Sequence, residues 1–108
     1  MPVGEWTWND FTRPNVDQVP EIGGVYMLAD PSSGQVAVFY VGQSGTLRSR
    51  LTQHLYEQEN ACIRRHLQLG TRHFCYKSVV GGEEARRTEE ARLIAQYRPA
   101  CNLQGGYV

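Results

Sequence analysis

The chain has 108 residues, with eleven bases balanced by eleven acids, so its formal charge is zero. That length fits one domain with a modest core, which leaves little room for a deep enclosed active site and favours a shallow site acting on a large substrate. No apolar run approaches the roughly 20 residues of a membrane helix, and no basic segment followed by an apolar one opens the chain, so a cytoplasmic protein without signal peptide or membrane partner is expected.

Residues 1–22 read as a lead-in punctuated by Pro14 and Pro20, with Trp6, Trp8 and Phe11 packing on the domain that occupies 23–108. Gly23-Gly24 frees the backbone before the apolar run Val25–Ala29. A second run, Val36–Val41, follows the turn sequence Asp30-Pro31-Ser32-Ser33-Gly34. Two β-branched and aromatic runs around such a turn predict an antiparallel hairpin. Leu47, Leu51 and Leu55 recur every four residues behind Thr46, a candidate N-cap, and predict a helix of about three turns. Asn60 caps a second predicted helix carrying Ile63, Leu67 and Leu69, which Gly70 stops. Residues 72–80 read as a third strand, broken by Gly81-Gly82. Residues 83–97 form the strongest predicted helix, with Ala91, Ile94 and Tyr97 along its apolar face and Pro99 ending it. The order β-β-α-α-β-α is that of an α+β domain with a small, three-stranded, mostly antiparallel sheet flanked by helices.

The zero charge conceals a gradient. Up to Gly42 five acids face Arg13 alone, about −4, and from Gln43 onward ten bases face six acids, about +4. Arginine outnumbers lysine ten to one, and guanidinium forks suit bidentate phosphate contacts as well as surface salt bridges. Cys62, Cys75 and Cys101 are an odd set without a CxxC pair. That argues against a disulfide framework or a zinc knuckle and for reduced thiols.

Candidate chemistry starts at the hairpin, where antiparallel pairing could bring Tyr26 and Tyr40 together on one face, although aromatic residues favour strands in any case. Arg50 and His54, four apart, share a helical face and could hold a phosphate and assist proton transfer, or form an ordinary polar flank. Glu90 precedes Leu93, Ile94 and Tyr97 on the core-facing stripe of the last helix. A carboxylate there must be paired, for instance with Arg86 or Arg87, or must ligate a metal. One inward Glu suffices for a hard cation that keeps its waters and shares a substrate phosphate, and is too little for structural zinc. The chain has no GxxxxGK[ST], HExxH, GxSxG or strand-borne GxGxxG.

Taken in order, these residues resemble the GIY-YIG nuclease family over most of the chain. Gly24-Val25-Tyr26 is similar to the first motif and Tyr40-Val41-Gly42 to the second. Arg50 in Leu47-Arg48-Ser49-Arg50-Leu51 takes the family arginine's place, and His54 follows one turn later. Glu90 stands before Leu93-Ile94 as the family's metal-binding glutamate does, and Gln96-Tyr97-Arg98-Pro99 to Asn102 resembles its closing segment. The chain departs at Gln43, where many members carry lysine, and at Gly23, where proline is common. A missing ammonium at 43 would weaken catalysis or shift its role to an arginine.

The resemblance implies a metal-dependent endonuclease that hydrolyses phosphodiester bonds in nucleic acid, with DNA the favoured substrate and DNA repair among the roles. Glu90 would hold one Mg²⁺ or Mn²⁺, Tyr26 or Tyr40 would take the proton from water, Arg50 would neutralise phosphate charge, and His54 would orient tyrosine and water. Gly42, Gln43, Arg48 and Asn102 are the expected substrate contacts, with Asn102 also bracing the site. The chain would act as a monomer or weak dimer, with a protein partner supplying specificity. The alternatives are a catalytically degenerate nucleic-acid-binding module and a protein-interaction domain that docks through exposed Trp6, Trp8 and Phe11.

Overall fold

Val25 to Ala29 is apolar without alternation because the strand that contains it is an inner one, covered on both faces, with all five residues fully buried. The computed structural model describes residues 6–32, 35–57 and 60–105, the side chains of 32, 35, 36 and 103–105 excepted. In chain order the elements are β1 (Asn9–Asp10), α1 (Arg13–Val16), β2 (Gly24–Ser32), β3 (Gln35–Ser44), α2 (Leu47–Tyr56), α3 (Ala61–Leu67), β4 (His73–Ser78), α4 (Gly82–Tyr97) and α5 (Ala100–Gly105). The strands form one antiparallel sheet in the order β1-β4-β2-β3.

The expected α+β domain is therefore present, with a fourth strand added. The lead-in supplies it, since Asn9 and Asp10 pair with Phe74 and His73, and it also buries Phe11, Val16 and Val19. Trp6 and Trp8 pack against the apolar cluster under α4, and Lys77 lies over the Trp6 ring at 5.1 Å. Phe11 is buried, and Trp6 and Trp8 are partly buried.

Alternation along β2 splits the core in two. Tyr26 and Leu28 face α1, α2, α3 and α5 and meet Val16, Leu47, Leu51, Ile63 and Cys101. Val25 and Met27 face α4 and meet Val41, Cys75 and Leu93. In the hairpin, a β-bulge between Leu28 and Ala29 leaves Phe39 without a partner, because Leu28 pairs with Tyr40 and Ala29 with Val38. The extra residue lets Phe39 and Tyr40 both pack on the α2 side while Val38 and Val41 pack on the α4 side.

Several sequence expectations need correction. The second helix ends at Leu67, and Leu69 lies beyond it, 70% exposed. Leu93, rather than Ala91, is the fully buried residue of α4, and Ala91 is exposed. Thr46 occupies the N-cap position of α2 without a capping bond from its side chain, whereas Asn60 Oδ1 accepts from the amides of Cys62 and Ile63. The chain past Pro99 forms α5 instead of an irregular tail. Cys62 and Cys101, expected as thiols, are joined in a disulfide that ties α3 to α5. Cys75 is a buried free cysteine. Ser33 and Gly34 of the predicted hairpin turn lie outside the described residues.

Candidate active site

The site is built at the end of the sheet where β2 begins and β3 ends. Gly42 pairs with Tyr26 across the two strands. A Cβ on Gly42 would lie 2.4 Å from the Tyr26 phenol, so only glycine lets the ring lie flat over the second motif. Gly24 is as constrained, since a Cβ there would lie 2.2 Å from the Lys77 carbonyl on β4. The glycines of both motifs are thus space requirements of close strand packing.

Tyr26 and Tyr40 come together as the hairpin geometry suggested, their ring centroids 6.1 Å apart. The Leu47-Leu51 stripe seats α2 against the same face, and its next turn delivers His54, only 3% exposed. Tyr26 Oη and His54 Nε2 lie 2.7 Å apart in a buried hydrogen bond, and the Tyr40 ring meets His54 edge-on. Burial pushes the Tyr26 phenol far above its ordinary pKa, with Tyr40 adding to the rise and Arg50 opposing it. Burial works against the Arg50 cation, but its contacts with both phenols outweigh that and raise its pKa. Arg50 Nη1 also donates to Gln53 Oε1 at 2.7 Å. Tyr40, Arg50, Gln53, His54, Glu57, Asn60 and Ile63 line an open cleft. Tyr26 stands behind it, fully buried.

The other predicted residues are distributed around this cluster. Asn102 accepts from the Val41 amide at 2.6 Å and donates to the Val41 carbonyl at 2.8 Å. One acceptor and one donor position of its amide brace the free edge of β3. Arg48 Nε donates to the Val19 carbonyl at 2.8 Å and flanks a second groove that shares Arg50 and Gln53 with the cleft. Gln43 faces α4, where its Oε1 accepts from Arg86 Nε at 3.0 Å.

Glu90 is carried by α4 on the opposite face of the sheet and does not line the cleft. It is half-buried, and desolvation raises its pKa with only partial relief from Arg87. The pairing considered from sequence is absent: Arg87 binds Glu83 and Arg86 binds Gln43. No salt bridge among the described residues engages Glu90. Neighbouring Glu89 is the paired carboxylate, held by Arg92 and Lys77. A lone, partly desolvated carboxylate suits a hard divalent cation that keeps most of its waters. Cys62, His66 and Cys101 also bring their ligand atoms within 4.8 Å of one another, but both sulfurs are joined in the disulfide.

Residues 1–98 match the model of a family described as a domain of unknown function, DUF7508. The chain belongs to that family. This DUF7508 member is also similar to UvrABC system protein C, at 35% identity over 89 residues in Methanosphaera stadtmanae and 31% over 91 residues in Methanothermobacter thermautotrophicus. The two alignments cover 81% and 82% of the DUF7508 chain but 14% of each relative, so the chain spans a small part of their length. Among solved structures it is similar to the GIY-YIG N-terminal endonuclease domain of UvrC from Thermotoga maritima bound to its catalytic magnesium, with TM-score 0.64, 25% identity and coverage of 82% of this chain and 92% of that one. An asparagine-to-alanine variant of that domain, bound to its catalytic divalent cation, matches with the same TM-score and identity. The DUF7508 chain has the GIY-YIG fold.

Proposed function

We propose that the chain is a divalent-metal-dependent endonuclease that hydrolyses phosphodiester bonds in DNA, acting in the cytoplasm and within DNA repair. The observation that carries this reading is the cluster of Tyr26, His54, Arg50 and Tyr40 opening on one cleft at the end of β3. It is supported by likeness to a UvrC endonuclease domain that binds catalytic magnesium.

Glu90 is the residue that would hold Mg²⁺ or Mn²⁺, and such an ion, when bound, supplies positive charge to the scissile phosphate and the leaving oxygen. The chain's own groups divide the remaining work. Tyr26 stays protonated in its buried position, and its hydrogen bond with His54 Nε2 fixes the imidazole. Tyr40, the phenol that faces the cleft, would take a proton from the attacking water. Arg50 touches both phenols, and its guanidinium would neutralise charge on the phosphate. His54 orients Tyr40 and the water. Asn102 keeps β3, and with it Tyr40 and Gly42, in position. DNA would lie across the end of the sheet, with Glu90 on one side and Arg50 on the other.

The test is a cleavage assay on end-labelled single-stranded, duplex and branched DNA and on RNA, with Mg²⁺, Mn²⁺ or EDTA. Cutting of DNA that requires the metal supports the assignment and names the preferred form. Absence of cutting on every substrate at all metal concentrations overturns it.

A further inference from the structure

Arg86 sits one helical turn before Glu90 on α4, half-buried, and differs from the cations around it. Arg87 pairs with Glu83, and Arg92 and Lys77 pair with Glu89. No carboxylate among the described residues lies within salt-bridge distance of Arg86, which is held by the neutral amide of Gln43 through its Nε alone. A partly desolvated cation without a counter-charge is unfavourable unless an anion arrives to meet it.

Its two terminal nitrogens lie beside two glycines. The Arg86 Nη1 lies 3.0 Å from where a Cβ on Gly23 would be, and Nη2 lies 3.4 Å from the corresponding point on Gly45. Gly23 precedes β2 and Gly45 follows β3, so the guanidinium occupies the same end of the sheet as Tyr26 and Gly42. Neither glycine has a side chain to cover it. The Gln43 bond takes the inner nitrogen and orients the fork, leaving the two terminal nitrogens as a bidentate face for a tetrahedral oxyanion.

We propose that Arg86 is a substrate-binding residue that grips a backbone phosphate of the nucleic acid through its terminal guanidinium nitrogens, with Gln43 as its positioning residue. This rests on the nuclease reading and deepens it: a neutral side chain at position 43 leaves no charge on β3, and α4 supplies that charge from the metal-binding side of the sheet.

The experiment measures binding of the whole chain to a short fluorescent DNA duplex in EDTA across a salt series, and then KM and kcat in Mg²⁺. Arg86→Ala should weaken binding and reduce the slope of log affinity against log salt by about 0.9. Its KM should rise more than its kcat falls. Gln43→Glu leaves Arg86 in place but gives it a carboxylate, and should weaken binding in the same direction without removing any packing. Adding Gln43→Lys to Arg86→Ala should restore the affinity and the slope. Unchanged binding and slope in Arg86→Ala, or full affinity in Gln43→Glu, with wild-type protein that binds and cuts, overturns the role of Arg86 alone. A wild-type protein that neither binds nor cuts DNA overturns the nuclease reading, and the Arg86 proposal with it.

Discussion

Tyr26 and Tyr40 carry the same phenol in opposite settings, and the difference sets their parts. Tyr26 is fully buried against Gly42 and hydrogen-bonded to His54, whereas Tyr40 lines the cleft. Tyr40→Phe should reduce cleavage by about 10²–10⁴-fold, the range for a lost general base, with an unchanged melting temperature. Tyr26→Phe should instead destabilise the fold by about 1–3 kcal/mol, because the buried hydrogen bond between Tyr26 and His54 is lost. Calorimetry together with the cleavage rate separates the two. Glu89 offers a pH signature. Its bond with Arg92, aided by Lys77, lowers its pKa from 4.5 to about 2. A carboxylate with a depressed folded-state pKa contributes stability above its unfolded pKa and loses it as pH falls through the folded one. Glu89→Gln should therefore lower stability near pH 7 by about 1 kcal/mol after solvent screening, and the gap from wild type should close as the solution approaches pH 2 in denaturant melts. At this scale hairpin pairing and a four-residue helical step allowed Tyr26, Tyr40, Arg50 and His54 to meet without deciding it, and the family resemblance singled them out. Arg86 was not, since its partner Gln43 is 43 residues away and only the docking of α4 joins them.

The elements hold this site from behind. β3 is an edge strand, and Val41 turns its amide and carbonyl to the open side, where Asn102 on α5 meets both. The disulfide to Cys62 fixes the residue just before Asn102. Asn102→Ala should cost about 1–3 kcal/mol for the two unsatisfied groups and should lower the cleavage rate through Tyr40 and Gly42. Cys62→Ser releases a link between residues 39 apart in sequence and should lower stability by about 2–4 kcal/mol, with reductant bringing wild type to the same melting temperature. The hairpin, α2, β4 and α4 were readable from periodicity and turn chemistry. β1 was not, being two exposed residues whose only signal is pairing with β4. The disulfide was equally hidden, because α3 and α5 become neighbours only in the folded sheet. Ala91 misled for a related reason: α4 is so rich in charge that a narrow contact line through Leu93, and no broad apolar stripe, docks it.

For the molecule as a whole, the sheet separates the two halves of the machinery. Tyr40, Arg50 and His54 open on one face, and α4 brings Glu90 and Arg86 to the other, with Gly42 and Gln43 at the strand end between them. On the proposed reading a phosphate at that end would be met from both faces, which would let a domain too small for an enclosed pocket act on a long polymer. The measurement that bears most directly on this arrangement is Mg²⁺-dependent cleavage of labelled DNA by Glu90→Ala protein, run beside wild type and with melting curves for both. We expect Glu90→Ala to fold with an unchanged melting temperature and to cut at least about 10³-fold more slowly, because the carboxylate proposed to hold the metal is gone. A folded Glu90→Ala protein that cuts at the wild-type rate would contradict a site built across the two faces of the sheet.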